Sequence, residues 1–238
     1  MNGMSKELAV STIIRIEDLW KSYNGDDGGE TSALRGLNLE IGRGETAAVY
    51  GRSGSGKSTL FNLIAGLDRP TRGTITIEGR DIHRMSEADR TRFRRSRLGF
   101  VFQFFNLIPT LTAMENVTLP LEMLGLKPQR ARDVLREVGL SGKEKRYPHE
   151  LSGGEQQRVA IARAVVKDPV LILADEPTGN LDTETGDQVL ALLEQMSRNR
   201  GTTLLLATHS NRTSLIADRV LTMSDGCIVE GRGVKNGS

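Results

Sequence analysis

The chain has little of what staples, stacks or anchors a protein. Its one cysteine, Cys227, cannot form a disulfide within the chain, so an apolar core must hold the 238 residues together. A reducing compartment is the expectation. Aromatic residues make up only 4%, too few for the stacking platforms that hold single-stranded nucleic acid. Apolar runs such as 171–174 and 204–207 fall far short of the roughly 20 residues that cross a bilayer. Residues 1–20 contain Lys6 and Glu7, with no sustained apolar block or small-residue cleavage pattern, so no secretory signal is expected. Neither sign of charge dominates: 32 basic and 30 acidic side chains leave a formal net charge of +2, and no nucleic-acid partner is expected. Three histidines supply no evident three-ligand zinc set.

Glycine is abundant instead, at 26 residues, clustered at 25–29, 51–56 and 153–154. The first cluster lies in a polar, acidic stretch, 24–31, and reads as a surface loop after a strand that ends near Trp20. Alternation or short apolar runs predict further strands at 37–41, 46–50, 74–78, 98–102, 170–174, 203–208, 219–223 and 227–229. Residues 86–97 read as an exposed, arginine-rich helix with a solvated face. The aromatic density at Phe100, Phe102, Phe104 and Phe105 reads as core packing. Between 112 and 167 the spacing turns helical, with breaks at Pro128 and Pro148 and a continuous helix over 155–167. Helices are also expected at 184–198 and around 211–217. An α/β core therefore brackets a helical insertion at about 104–167, in one domain spanning 1–238 with a frayed tail at 232–238.

The second glycine cluster carries chemistry. Gly51, Arg52, Ser53, Gly54, Ser55, Gly56, Lys57 and Ser58 read GRSGSGKS, a full match to the phosphate-loop pattern, after the apolar strand 46–50 and before a helix expected to open near Lys57. The glycines let backbone N–H groups converge on phosphate oxygens, and the helix adds the positive end of its dipole. Lys57 supplies a mobile charge, the Ser58 hydroxyl suits Mg²⁺, and Thr59 offers a second donor to the phosphates.

The run at 171–176, LILADE, puts Asp175 and Glu176 at the C-terminal end of a buried strand. Alone, the pair would read as caps of the turn-rich 177–182 segment. Beside a phosphate loop it divides two tasks: Asp175 holds Mg²⁺ through a coordinated water, and Glu176 polarises the attacking water.

At 151–157, LSGGEQQ, the chain resembles the ATP-binding-cassette family, over about residues 13–231. The resemblance implies a P-loop NTPase (RecA-like) α/β core with an antiparallel β subdomain and an inserted α-helical signature subdomain. It also implies Mg²⁺-dependent ATP hydrolysis, with ATP and Mg²⁺ as cofactors. Ser152 with the N–H groups of Gly153 and Gly154 makes a second anion-binding helix start. The family arrangement resolves the surplus: two domains form a homodimer head to tail, each ATP between Lys57 of one copy and Ser152 of the other. By the same resemblance Tyr23 stacks on adenine, Gln103 reaches Mg²⁺ or the attacking water, His209 contacts the γ-phosphate, and Asp182 crosses the dimer interface. A capping role for Asp182 before the helix at 184 coexists with that one.

Residues 31–35, 99–117 and 174–182 are similar to the lipoprotein-releasing, macrolide-export and cell-division branch of the family. That branch implies a separate transmembrane permease with a large extracytoplasmic region, and an adaptor outside the membrane. It places the chain on the cytoplasmic side of the membrane, peripheral through the permease, with residues 104–116 bordering the groove that receives the permease's coupling helix. Many relatives place aspartate after the switch histidine, where this chain has Ser210. The alternative within the branch is a regulatory ATP-binding module of a membrane signalling complex that moves no cargo.

Overall fold

The computed structural model describes residues 11–24, 29–210, 212 and 216–233, the last four by backbone alone. The expected signal-free start at 1–10, the glycine loop at 25–28, most of the helix expected at 211–217, and the tail beyond 233 lie outside the described residues.

Two sheets organise the chain. β1 (Thr12–Asn24), β2 (Glu30–Gly42), β4 (Arg72–Ile77) and β5 (Arg80–Asp81) form an antiparallel sheet in the order β2-β1-β4-β5. β3 (Thr46–Tyr50), β6 (Leu98–Phe102), β7 (Leu171–Asp175), β8 (Thr203–Thr208), β9 (Arg219–Ser224) and β10 (Cys227–Gly233) form the other, in the order β10-β9-β3-β8-β7-β6. Within it, the five strands from β9 to β6 run parallel, and β10 closes one edge antiparallel to β9.

Both faces of this sheet are covered, which is why its strands read as continuous apolar runs and not as alternating ones. Leu171, Leu173, Leu205 and Ala207 face the core shared with α1 (Lys57–Ile64) and the antiparallel sheet. Ile172, Ala174, Leu204 and Leu206 face a second core built with the helices. Those helices are α3 (Ala113–Glu122), α4 (Gln129–Glu137) and α5 (Gly153–Val165) between β6 and β7, and α6 (Thr183–Arg198) between β7 and β8.

Local sequence sets the helix boundaries. Ser86 caps α2 (Glu87–Arg97), and Thr112 and Ser152 each form a capping box, with Glu115 and Glu155, that closes two backbone donors at the start of α3 and α5. Pro128 caps α4 and Pro148 opens a 3-10 turn at Pro148–Glu150, so both expected breaks are where they act. The arginines of α2 are largely occupied nearby: Arg90 and Arg94 pair with Glu87, Arg92 with Asp89, and Arg97 with Glu78.

Several boundaries differ from expectation, the largest being β2, which starts at Glu30 and not at 37 because it pairs with β1 along its length. β1 does not stop near Trp20 but pairs on to Asn24, because β2 begins at Glu30 and meets it at Tyr23 and Asn24. α5 opens at Gly153, two residues before the stretch read as helix, since the Ser152 capping box fixes its first turn. β10 runs to Gly233, two residues into the stretch read as a frayed tail.

Candidate functional site

Strand register gathers the candidate residues at one sheet edge. Tyr50 pairs with Thr208, Asp175 with Ala207 and Phe102 with Asp175. The segments that follow those positions therefore emerge side by side at the C-terminal ends of β3, β8, β7 and β6: the phosphate loop, His209, Glu176 and Gln103. In parallel α/β sheets that edge is where ligands bind.

The phosphate loop connects β3 to α1 as the sequence requires. Gly56 stands at φ 103°, and a Cβ there would lie 2.6 Å from the Ala33 carbonyl oxygen, so only glycine fits at the turn into the helix. Lys57 is buried, and its Nζ donates to the carbonyls of Gly51 at 2.7 Å and Arg52 at 3.1 Å. Ser58 is exposed and its Oγ lies 3.5 Å from Asp175 Oδ2. Burial and the adjacent Glu176 carboxylate push the Asp175 carboxyl up, against the pull of Ser58 and Lys57. A carboxylate held in that way gains from a cation at its oxygens.

Glu176 has a left-handed backbone, φ 48°, in a non-glycine residue that ends a buried strand. Its Oε2 accepts from the His209 backbone N–H at 3.3 Å and lies 2.9 Å from His209 Nδ1. A proton on Nδ1, donated to Glu176, leaves Nε2 as the outward-facing nitrogen of an exposed ring. Arg212, further along the same loop, donates to both Asp187 oxygens at 3.0 and 2.9 Å and to the Thr183 carbonyl, which ties the histidine loop to the start of α6. Asp182 caps α6 by accepting from the Thr185 N–H at 3.0 Å, and hydrogen bonds from the Thr185 side chain and backbone hold its carboxyl below the usual range. Glu176, Asp182, His209, Ser210 and Arg212 line one cleft of about 250 Å³.

Gln103 makes its amide contact with Asn180, in the turn between Glu176 and Asp182. Tyr23 ends up beside α1: its hydroxyl donates to Asp68 Oδ2 at 2.9 Å and is shared with Thr59, and burial raises its pKa first of all. Lys21 Nζ sits 4.7 Å from the centroid of the tyrosine ring. The ring is 42% exposed at the end of β1.

Ser152, Gly153 and Gly154 open α5 beside the start of α6, where Gly153 abuts Leu181 and Gly154 abuts Thr185. Among the described residues, the Ser152 side chain bonds only within its own capping box, accepting from the Glu155 N–H. The structure thus brings together the phosphate loop, Asp175, Glu176 and His209, and leaves the serine-glycine-glycine turn on α5.

Sequence reading missed two amides. Gln157 is fully buried on α5 and donates to the carbonyls of Phe102, at 3.2 Å, and of Pro177. It therefore joins the signature helix to the segments carrying Gln103 and Glu176. Its signal was available as a polar residue in helical register with buried Gly154 and Ile161. Asn180 is the other, and no periodicity marks a residue in a turn.

A second surface feature lies between α2, β6 and α3. Leu67, Phe100, Phe102, Leu119, Pro120 and Met123 line an apolar groove of about 420 Å³, ringed by Arg94, Arg95 and Lys167. The rings of Phe100 and Phe102 stack 5.8 Å apart. The groove follows β6 and the C-terminal half of α3, and of residues 104–116 only Asn106 lines the adjoining cleft. Phe104, read with its neighbours as core packing, is 71% exposed.

Lys167 Nζ donates to the Arg95 carbonyl at 2.6 Å, and burial pulls its ammonium down to about 8 from an ordinary 10.5. Between those values the unfolded chain binds more protons than the folded one, so stability rises with pH across that window. Lys167→Met is expected to flatten the rise, whose slope approaches about 1.4 kcal/mol per pH unit, in urea melts run from about pH 8 to 10. An equal slope in both proteins would place its source elsewhere.

A phosphate loop between β3 and α1, paired carboxylates ending β7 and a histidine after β8, on one edge of a parallel sheet, define a nucleotide-binding domain of the P-loop ATPase class. The family model described as ABC transporter matches residues 34–179. An uncharacterized ABC transporter ATP-binding protein of Mycobacterium tuberculosis is 51% identical over 222 residues, 91% of this chain and 89% of that one. The lipoprotein-releasing system ATP-binding protein LolD of Geobacter metallireducens is 46% identical over 226 residues, 92% of this chain and 99% of its own. Among solved structures, a dimeric post-hydrolysis state of an ATP-binding cassette bound to ADP and Pi superposes with a TM-score of 0.85 at 36% identity, covering 94% of this chain and 100% of that one. The chain belongs to the ABC transporter family, as an ATP-binding protein with the P-loop, RecA-like fold.

Proposed function

We propose that the chain is the Mg²⁺-dependent ATP-hydrolysing subunit of an export or mechanotransmission complex, in which two copies close over ATP and move a separate transmembrane permease. One observation carries this reading: a phosphate loop, a hydroxyl-carboxylate pair and a glutamate-histidine pair converge on one sheet edge, while a second anion-binding turn opens α5 against Leu181 and Thr185. A single γ-phosphate does not need both clamps from one copy, and in a head-to-tail pair each ATP lies between the phosphate loop of one copy and the α5 turn of the other. The match to dimeric cassettes supports that arrangement.

The donor set fits Mg²⁺. Among the described residues no group of three or more histidine, cysteine, aspartate or glutamate side chains is placed to hold a metal. Mg²⁺ does not need one, because it keeps several waters and binds through one or two protein oxygens plus substrate phosphates. Ser58 and Asp175 would hold it, with Gln103 as a further oxygen ligand. When bound, the ion neutralises charge on the phosphate oxygens.

The other roles follow from position. Backbone N–H groups of residues 51–58 and the Lys57 ammonium cradle phosphate, Thr59 adds a hydroxyl, and Tyr23 offers its exposed ring to adenine. Glu176 accepts the proton of the attacking water, held in place by the histidine loop, and the outward nitrogen of His209 faces the γ-phosphate. Ser152, Gly153, Gly154 and Asp182 meet the partner copy. No helix among the described residues is long and apolar enough to cross a membrane. The 420 Å³ groove is the surface on which a helix of the permease docks, which holds the chain at the cytoplasmic face of the membrane. Similarity to lipoprotein-releasing ATP-binding proteins supports a permease with a large extracytoplasmic region and an adaptor beyond it.

The test is assembly. In sedimentation velocity, a Glu176→Gln chain is expected to be monomeric without nucleotide and dimeric with ATP and Mg²⁺. Adding Ser152→Glu, which puts a like charge against the phosphate, should return it to monomer. A monomer at saturating ATP would sink the composite-site reading.

A further inference from the structure

The amides of Gln103 and Asn180 form a reciprocal pair. Asn180 Nδ2 donates to the Gln103 backbone carbonyl at 3.2 Å, and Asn180 Oδ1 accepts from Gln103 Nε2 at 3.1 Å. The chemistry of the two ends makes this directional. A backbone carbonyl can only accept, so Asn180 must turn its NH₂ toward it, which leaves Oδ1 facing the Gln103 side chain. An acceptor there must meet the NH₂ of Gln103, and the Gln103 carbonyl oxygen Oε1 is left to point elsewhere. The backbone thus fixes one amide, and that amide fixes the other.

A second observation keeps the pair in place. A Cβ at Gly179 would stand 2.7 Å from Gln103 Nε2, 2.9 Å from its Cδ and 3.1 Å from its Cγ, so the Gln103 side chain lies directly over the Gly179 backbone. The Gly179 N–H in turn donates to the Glu176 carbonyl at 3.0 Å, which closes the turn that follows the catalytic carboxylate. Gln103 therefore rests on the Glu176 turn as well as following β6.

We infer that Asn180 is a positioning residue that selects which end of the Gln103 amide is offered to Mg²⁺. With Asn180 in place, Gln103 presents an oxygen, a ligand the ion accepts. Without Asn180 the amide is neither held in its seat nor selected for its oxygen, and the NH₂ end it can then present is one the ion rejects. This rests on the metal role proposed for Gln103, and it makes the segment between Glu176 and Asp182 part of the metal site as well as of the dimer contact.

The experiment uses the full chain with a non-hydrolysable ATP analogue and Mn²⁺, whose free form is counted by electron paramagnetic resonance. Asn180→Leu is expected to weaken Mn²⁺ binding about tenfold, as substitutions behind a metal ligand do. Gln103→Ala should weaken it by a similar factor, and the double variant should add less than about twofold to either. Asn180→Asp keeps an acceptor for the Gln103 NH₂ but sets a second acceptor against the Gln103 backbone carbonyl, so it should also weaken Mn²⁺ binding, by less than Asn180→Leu. Gly179→Ala, which fills the seat of Gln103 while leaving Asn180 intact, should behave like Asn180→Leu. If Gln103→Ala weakens Mn²⁺ binding and Asn180→Leu does not, Asn180 does not position the amide. Equal losses from Asn180→Leu with and without Gln103 would also overturn the inference, because the effect would then bypass the amide. If Gln103→Ala itself changes nothing, the metal role of Gln103 fails, and the inference built on it fails too.

Discussion

Glu176→Gln is expected to lower ATP turnover by roughly 10²–10⁴-fold while ATP binding persists. Glutamine keeps the length of the side chain, and its carbonyl oxygen still accepts from the His209 N–H that Glu176 Oε2 accepts now. The histidine loop therefore stays in place, and what disappears is the carboxylate proposed to take the proton of the attacking water. Phosphate release measured alongside nucleotide binding separates the two effects. Hydrolysis near the unmodified rate, with binding intact, would show that Glu176 is not the water-activating residue. His209→Ala provides the complementary reading: it removes the Nδ1 partner at 2.9 Å but leaves the carboxylate, so its loss of turnover should be smaller.

How much of this was legible in the sequence depends on how local the cause is. The phosphate loop, β3 and the first residue of α1 are where the sequence places them, because glycine positions, an apolar run and a lysine-serine pair act over a dozen adjacent residues. The carboxylate pair at the end of β7 was equally legible, since a four-residue apolar run ending in two acids fits a strand buried on both faces. Strand register was not legible, and it is register that sets Gln103, Glu176 and His209 side by side. Tyr23 illustrates the same limit. Its partners Asp68 and Thr59 are 45 and 36 residues away in the chain, so nothing near it in sequence announces the contact with α1. The amide pair of Gln103 and Asn180 spans 77 residues and has no signature at either end.

The groove shows the opposite error. Aromatic density at 100–105 reads as core, and Phe100 does pack against the core, yet Phe100 and Phe102 also line an open groove and Phe104 is 71% exposed. Alternation along β6 explains it: Val101 enters the core under α5 while its neighbours point to the other side, where α2 and α3 stand apart. Composition cannot distinguish an aromatic that fills a core from one that waits for a partner, and the exposed apolar surface is what makes the difference visible.

Lys57→Ala is expected to remove ATP binding and turnover together, which sets it apart from Glu176→Gln. The ammonium is buried and donates to two loop carbonyls, Gly51 at 2.7 Å and Arg52 at 3.1 Å. Truncation therefore takes away a charge-assisted contact to phosphate and also leaves both carbonyls without that donor. A loss of about 3 kcal/mol, or roughly 10²-fold in affinity, follows from hydrogen bonds to a charged group in such a seat. Lys57→Arg should not restore binding, because a planar guanidinium is not a substitute for a compact ammonium in a side-chain site only 7% exposed. Thermal melts distinguish lost binding from lost folding. The unmodified chain should gain about 2.7 kcal/mol at an ATP concentration of 100 Kd, whereas Lys57→Ala should melt at one temperature with or without ATP. An ATP-induced rise that survives the substitution would mean that the backbone cradle of the loop holds the phosphates unaided.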